Sequence, residues 1–206
     1  RFVGLKNYAF LLRDEFVHKA FRNTLVYMVS TVSLTLVLSF FAALLLNKHL
    51  GIIKFARASF FLPHVTSMVA VSVVWIWIYE PSIGVLNRLL SGLGLMPRQW
   101  LYDPKLALGS IIAMSIWKSL GYNMIIFLAG LQGIPREMLE AAEVDGAGSA
   151  VKTWHITIPM LRPVVFFLFV TGTIGAFNVF EQVNVMTSGG PVNRTTTVVH
   201  QIYNRA

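Results

Sequence analysis

The residues of this chain best placed to act on something else sit in a polar island between two apolar segments. The island reads Glu140-Ala141-Ala142-Glu143-Val144-Asp145-Gly146 and is followed by Ile156-Thr157-Ile158-Pro159. Its carboxylates could pair with a partner's cations or anchor a helix, and Gly146 could form an elbow that needs a positive φ. No catalytic constellation accompanies them. The five His residues are scattered and there is no H-E-x-x-H pair, so membrane metalloprotease chemistry is disfavoured. There is no Cys, which removes disulfides and thiolate metal sites. There is also no G-x-x-x-x-G-K-S/T run to cradle phosphates, so the chain is not an ATPase.

Lys118 is the second feature with chemical content. It lies near the middle of an otherwise uncharged segment, where an ammonium is costly and normally faces protein or water. Asn123, five positions on, and Ser115, three back, are read as sharing its side. Two readings stay open: Lys118 lines a path and hydrogen-bonds hydroxyls, or it pairs with a neighbouring helix or with a span outside this sequence. Asn178 and Glu181, near the end of the last apolar segment, raise the same question.

The composition says what must position these groups. Of 206 residues 55% are hydrophobic and 13% charged, and the mean hydropathy is +0.65. A soluble domain carries about 25% charge, so a membrane protein is indicated before any motif is read. The net charge of +8 comes from Lys and Arg lying between apolar runs. That placement suits membrane flanks and not a nucleic-acid stripe.

Four apolar stretches are expected to span the membrane: 24–46, 60–79, 106–131 and 163–180. About 22 helical residues cover about 33 Å, enough for a hydrocarbon core of about 30 Å. Residues 1–22 have the spacing of an amphipathic surface or interfacial helix. Asn47 to Ser59 is expected as a short basic loop with Lys48, His49, Lys54 and Arg57, and 81–105 as a longer one. Pro63 is expected in a first helical turn. Trp75, Trp77 and Tyr79 are expected as an aromatic belt. Gly172, Gly175 and Ala176 are expected as close-packing positions. No internal repeat is evident, and residues 1–206 are read as one all-α membrane domain, since lipid-exposed backbone must bond within its own helix. The chain begins at Arg1 and is read as a fragment.

Between the third and fourth stretches, 132–162 is expected outside the bilayer as two short helices. Pro135 is placed at the first helical position and Gly146 at the C-terminal glycine position. Ser149 is placed as N-cap of the second helix, which runs through Trp154.

The spacing of Glu140, Ala141, Ala142, Gly146, Ile156, Ile158 and Pro159 resembles the EAA loop of bacterial ABC importer permeases, with Ile158 where Leu is usual. Asn23-Thr24-Leu25, Leu62-Pro63, Trp75, Trp117, Leu128-Ala129-Gly130-Leu131 and Met186-Thr187-Ser188-Gly189-Gly190-Pro191 are similar to the sugar-type subfamily. The resemblance covers nearly the whole chain. It implies a polytopic helical bundle like that of type I ABC importer permeases, with four of six or more spans present. It implies a non-catalytic subunit of a carbohydrate importer in the bacterial cytoplasmic membrane. The implied partners are a second permease subunit, two ATPase subunits, an extracytoplasmic solute-binding protein and membrane lipid. The substrate would be a sugar, an oligosaccharide or glycerol phosphate. No cofactor would bind here; ATP and Mg would sit on the ATPase. The coupling contact would be Glu140, Ala141, Ala142, Asp145 and Gly146, and the translocation path would draw on Lys118, Asn123 and Asn178.

By the resemblance the EAA loop is cytoplasmic. The positive-inside tally opposes it, with six Lys and Arg on inside segments and ten on outside ones. An ion-coupled secondary transporter or channel is the alternative; it would need several paired intramembrane charges, and only Lys118 lies deep.

Overall fold

The computed structural model describes residues 4–47 and 51–206. Arg1, Phe2, Lys48 and His49 lie outside the described residues. Among those described there are helices and turns and no strand.

The N-terminal segment divides at Asp14 into α1 (Lys6–Leu11) and α2 (Glu15–Leu46). The Asp14 carboxylate accepts the N–H groups of Phe16 at 2.8 Å and Val17 at 3.4 Å. These are first-turn donors that have no partner inside a helix. With that start supplied, α2 runs for 32 residues and begins at Glu15, not at Thr24.

The stretch expected as the second span is not one helix. It is α3 (Gly51–Val65) followed, after a break at Thr66 and Ser67, by α4 (Met68–Ile78). Much of the expected 47–59 loop is therefore the start of α3. Pro63 lies inside the last turn of α3, not in a first turn. It has no N–H to give the carbonyl four residues back, and α3 ends two residues later. Arg57 donates from Nη2 to the Leu46 carbonyl at 2.6 Å, a cation on the last residue of α2.

The 81–105 connection contains α5 (Val85–Gly92). One buried amide organises it. Asn87 donates to the carbonyls of Pro81 and Arg98, both at 2.9 Å, and accepts from the Arg98 N–H and the Trp100 indole. Beyond it come α6 (Ala107–Gln132), α7 (Arg136–Val144), α8 (Ser149–Lys152), a π-turn over Thr153–Thr157, α9 (Ile158–Met160), α10 (Arg162–Phe177), α11 (Glu181–Thr187) and α12 (Val198–Arg205). Among the described residues, α2 and α6 are each long and apolar enough to cross a membrane, and the total rises to four spans if α3 with α4, and α8–α9 with α10, each count as one.

The chain forms two compact units. The first comprises Arg1–Thr31, Thr66–Ser115 and Thr173–Ala206; the second comprises Val32–Val65 and Ile116–Gly172. In the first, α11 packs on α4, and Gln182 donates to the Tyr27 hydroxyl at 2.9 Å. Tyr79 is buried with its hydroxyl on the Ser110 carbonyl, so it is not part of an exposed belt; Trp77 is exposed. Arg205 meets Asp14 at 2.6 Å and, with the two backbone N–H groups, holds that carboxyl below its usual range. A lowered carboxylate pKa contributes stability above the ordinary value and loses it as pH falls through the folded one.

In the second unit Ala43, Met124, Phe127, Leu128, Leu131, Ile134, Leu161 and Leu168 form a core from α2, α6, α10 and the connecting residues Ile134 and Leu161. Helices in lipid associate by close packing, not by escape from water. Gly130 allows it here, because a Cβ there would lie 2.7 Å from Leu161 and 2.9 Å from Val164. Gly172 lies over Val32 in ordinary contact, whereas Gly175 faces open space and closes no contact. At Gly121 a Cβ would strike the Phe60 carbonyl, so α6 and α3 touch backbone to backbone. Gly121→Ala is therefore expected to cost about 1–3 kcal/mol, the range for overpacking. Thermal denaturation of the solubilised protein will read this as a lowered Tm, whereas Gly109→Ala, which meets nothing within 4 Å, is expected to leave the Tm unchanged or raise it.

Candidate functional site

The polar island is built as an elbow. Leu131 and Ile134 are buried in the second core, so α6 ends against packing and not in a free loop. The Gly133 N–H closes α6 onto the Ala129 carbonyl at 3.2 Å. Pro135 is the N-cap of α7 and Arg136 its first helical residue, so Pro135 sits one position earlier in the helix than expected. Glu137 lies in the first turn of α7, on the favourable side of the helix dipole. Leu139 packs on the core and Ala142 is half-buried, while Met138 remains exposed. The inward side of α7 thus comprises Leu139 and Ala142 and leaves out Met138.

The C-terminus of α7 carries the full Schellman pattern. The Ala147 N–H reaches the Ala142 carbonyl at 2.8 Å, and the Gly146 N–H reaches the Glu143 carbonyl at 3.0 Å. Gly146 sits at φ +80 with nothing near a would-be Cβ. The glycine is required by the backbone alone. Gly148, not Ser149, is the N-cap of α8, and Ser149 makes no side-chain cap bond. The second helix passes Trp154 through the π-turn to Met160. Lys152 and Glu143 pair at 3.1 Å across the elbow. Such a surface pair is worth about 0–1 kcal/mol and holds an angle more than it adds stability.

This geometry presents one exposed surface. Glu140, Ala141, Asp145 and Gly146 are exposed, and Ala142 is half-buried beneath them. Val144 is 89% exposed and Trp154 68% exposed. Anions, a glycine elbow and apolar side chains face outward together on a frame fixed by α6.

Lys118 is placed differently. Its side chain is buried, and its ammonium donates to the carbonyls of Pro63 at 2.9 Å and His64 at 3.3 Å. Asn123 donates back to the Ser119 carbonyl at 2.9 Å. Five positions on an α-helix are about 140° apart, so Lys118 and Asn123 do not share a face. Asn178 donates to the Ile174 carbonyl at 2.9 Å and is exposed.

The family model described as "Binding-protein-dependent transport system inner membrane component" matches residues 36–206. The chain belongs to this family. It is a non-catalytic permease subunit of an ABC transporter and a multi-pass membrane protein. Over 205 residues it is 33% identical to the sn-glycerol-3-phosphate transport system permease protein UgpA of Yersinia pestis, covering 98% of this chain and 68% of that protein. It is 36% identical to the probable ABC transporter permease protein YurN of Bacillus subtilis, covering 100% of this chain and 72% of that one. Its fold superposes with a TM-score of 0.88 on a bacterial ABC transporter involved in the import of the acidic polysaccharide alginate, at 27% identity, covering 98% of this chain and 72% of the other.

Three features of the permease escaped sequence reasoning. The first is a buried row on α2, Thr24, Thr31, Thr35 and Ser39, whose signal was hydroxyls at helical spacing in an uncharged run. The second is the meeting of two resemblance motifs. Asn23 donates to the carbonyls of Asn193 and Thr196, and Thr24 accepts the Val198 N–H, which fixes the loop after Gly189-Gly190-Pro191. The third is Arg57 on the C-terminus of α2, and with it the particular helix end that Lys118 meets, since only its pairing with some neighbouring helix is expected from the sequence. Nothing in the sequence tells which helix end a cation will meet.

The elbow gives a direct expectation. Gly146→Val forces a β-branched residue to positive φ, costing about 1–2 kcal/mol. Hydrogen exchange will show the Gly146 and Ala147 amides losing protection in that variant, while Gly146→Asn, which tolerates the conformation, keeps most of it.

Proposed function

We propose that this permease is the transmembrane subunit of a bacterial carbohydrate importer in the cytoplasmic membrane, and that its polar island docks on a separate ATPase. In this reading the island faces the cytoplasm, with Glu140 and Asp145 supplying charge, Ala141 and Ala142 a close-fitting surface and Gly146 the elbow. ATP and Mg bind to two ATPase subunits and not to this chain. A second permease subunit completes the path, and an extracytoplasmic solute-binding protein delivers the substrate.

The observation that carries the reading is the island itself: exposed anions and apolar side chains held on a Schellman-closed elbow at the end of a membrane helix. Its motif spacing and the family match support the same assignment. The substrate class is supported by the relatives. One transports sn-glycerol-3-phosphate, and a solved neighbour was captured with a periplasmic protein bound to an alginate pentasaccharide. Both substrates are rich in hydroxyls. Asn123 and Asn178 are candidates for the path, since an amide that donates to its own helix still has a carbonyl oxygen to offer a hydroxyl. The contacts of Lys118 with the Pro63 and His64 carbonyls favour a different part for it.

Co-purification tests the docking. The full-length permease is expected to bring down an ATPase, and the double variant Glu140→Ala, Gly146→Val is expected to lose most of it while still reaching the membrane. An undiminished yield of ATPase with the double variant would overturn the proposal.

A further inference from the structure

We propose that Lys118 is a positioning residue that makes α3 move as one body with α6 and the polar island. The inference rests on the docking reading for the source of the motion, and on four contacts within the second compact unit for its transmission.

The first contact is electrostatic. The last carbonyls of a helix have no donor inside it, and a helix C-terminus carries a partial negative charge. Pro63 and His64 supply two such carbonyls at the end of α3, and both accept from the Lys118 ammonium. The side chain is buried, so this charge is held in a medium where breaking such bonds costs more than in water. The second contact is at Gly121, where the α6 backbone meets Phe60 with no room for a Cβ. The third is an aromatic stack, His64 on Tyr122, at 4.5 Å and 15° between planes. The fourth ties the same stretch of α6 to α2, through Ser39 donating to the Leu120 carbonyl at 3.0 Å.

Residues 118–122 thus grip the end of α3 from a single turn and a half of α6. That helix then continues unbroken to Gln132 and passes through buried Ile134 directly into α7. A displacement of the island therefore carries α6, and α6 carries α3 through the Lys118 cap. The chain has its break immediately after α3, at Thr66 and Ser67, where the second span can yield. A methionine in place of Lys118 would fill similar volume but leave those carbonyls without their cation. An arginine would keep it.

Two measurements test this in the complete transporter with its ATPase and solute-binding protein. In vesicles, Lys118→Met is expected to hydrolyse ATP but to import about tenfold less substrate per ATP, the scale of one lost charge-assisted hydrogen bond. Lys118→Arg is expected to restore most of the coupling. Normal import per ATP by Lys118→Met overturns the proposal, as does a change confined to the KM for substrate, which marks a residue lining the path. The second measurement does not depend on that variant folding. Spin labels at Phe55→Cys on α3 and Ile125→Cys on α6, both exposed positions of a cysteine-free chain, are expected to keep one separation in nucleotide-free and ATP-bound states. A separation that changes by several ångström between the states overturns the rigid-body claim. Absence of the ATPase from the wild-type complex would overturn the docking reading, and this inference with it.

Discussion

Inside an apolar helix a polar side chain has little to bond except carbonyl oxygen, and much of this molecule follows from that constraint. Thr24, Ser72, Ser115, Asn123, Thr171, Asn178 and Thr187 each donate to the carbonyl four residues back. These bonds let hydroxyls and amides sit in membrane helices without a partner from another element. Cations cannot be satisfied so locally. Arg57 and Lys118 instead reach the ends of other helices, where carbonyls lack donors. The same shortage that makes a buried Lys costly makes it a tie between elements.

That difference explains what could be read in the sequence. The α6 span and the last span were legible to within a few residues, because a long uncharged run admits few alternatives. The island's two helices and its glycine elbow were legible because Gly146 has a single backbone use in that position. The break in the second span was not. Residues 60–79 contain no Asp, Glu, Lys or Arg, and the absence of these charges does not record where a helix stops. Pro63 was visible but its register depended on where α3 began, and the residues before it read as a basic loop. Tyr79 was placed in a lipid-facing belt by type and position, whereas Ser110 gives its hydroxyl a buried acceptor. Ser149 yielded the cap position to Gly148, which the extended backbone there accepts equally well.

The candidate site shows the same division. The exposed surface of Glu140, Ala141, Asp145 and Gly146 came from local spacing and emerged as local geometry. Lys118 was singled out by its cost alone, and only the fold reveals which carbonyls hold it. Its supposed partner on the same face, Asn123, lies round the helix. Features set by contacts far apart in the chain, such as Asn23 with the loop at 193–198, had motifs in the sequence but no legible role until the two segments were seen together.

In the proposed arrangement the polar island faces the cytoplasm and touches an ATPase. This sequence has no native Cys, so a thiol introduced into it is unique among its 206 residues. With Ala141→Cys in the complete transporter, this arrangement predicts no reaction with a membrane-impermeant thiol reagent added to the outside of sealed cells. It also predicts a cross-link to the ATPase in inverted vesicles. Labelling from the outside with no cross-link to the ATPase would contradict it.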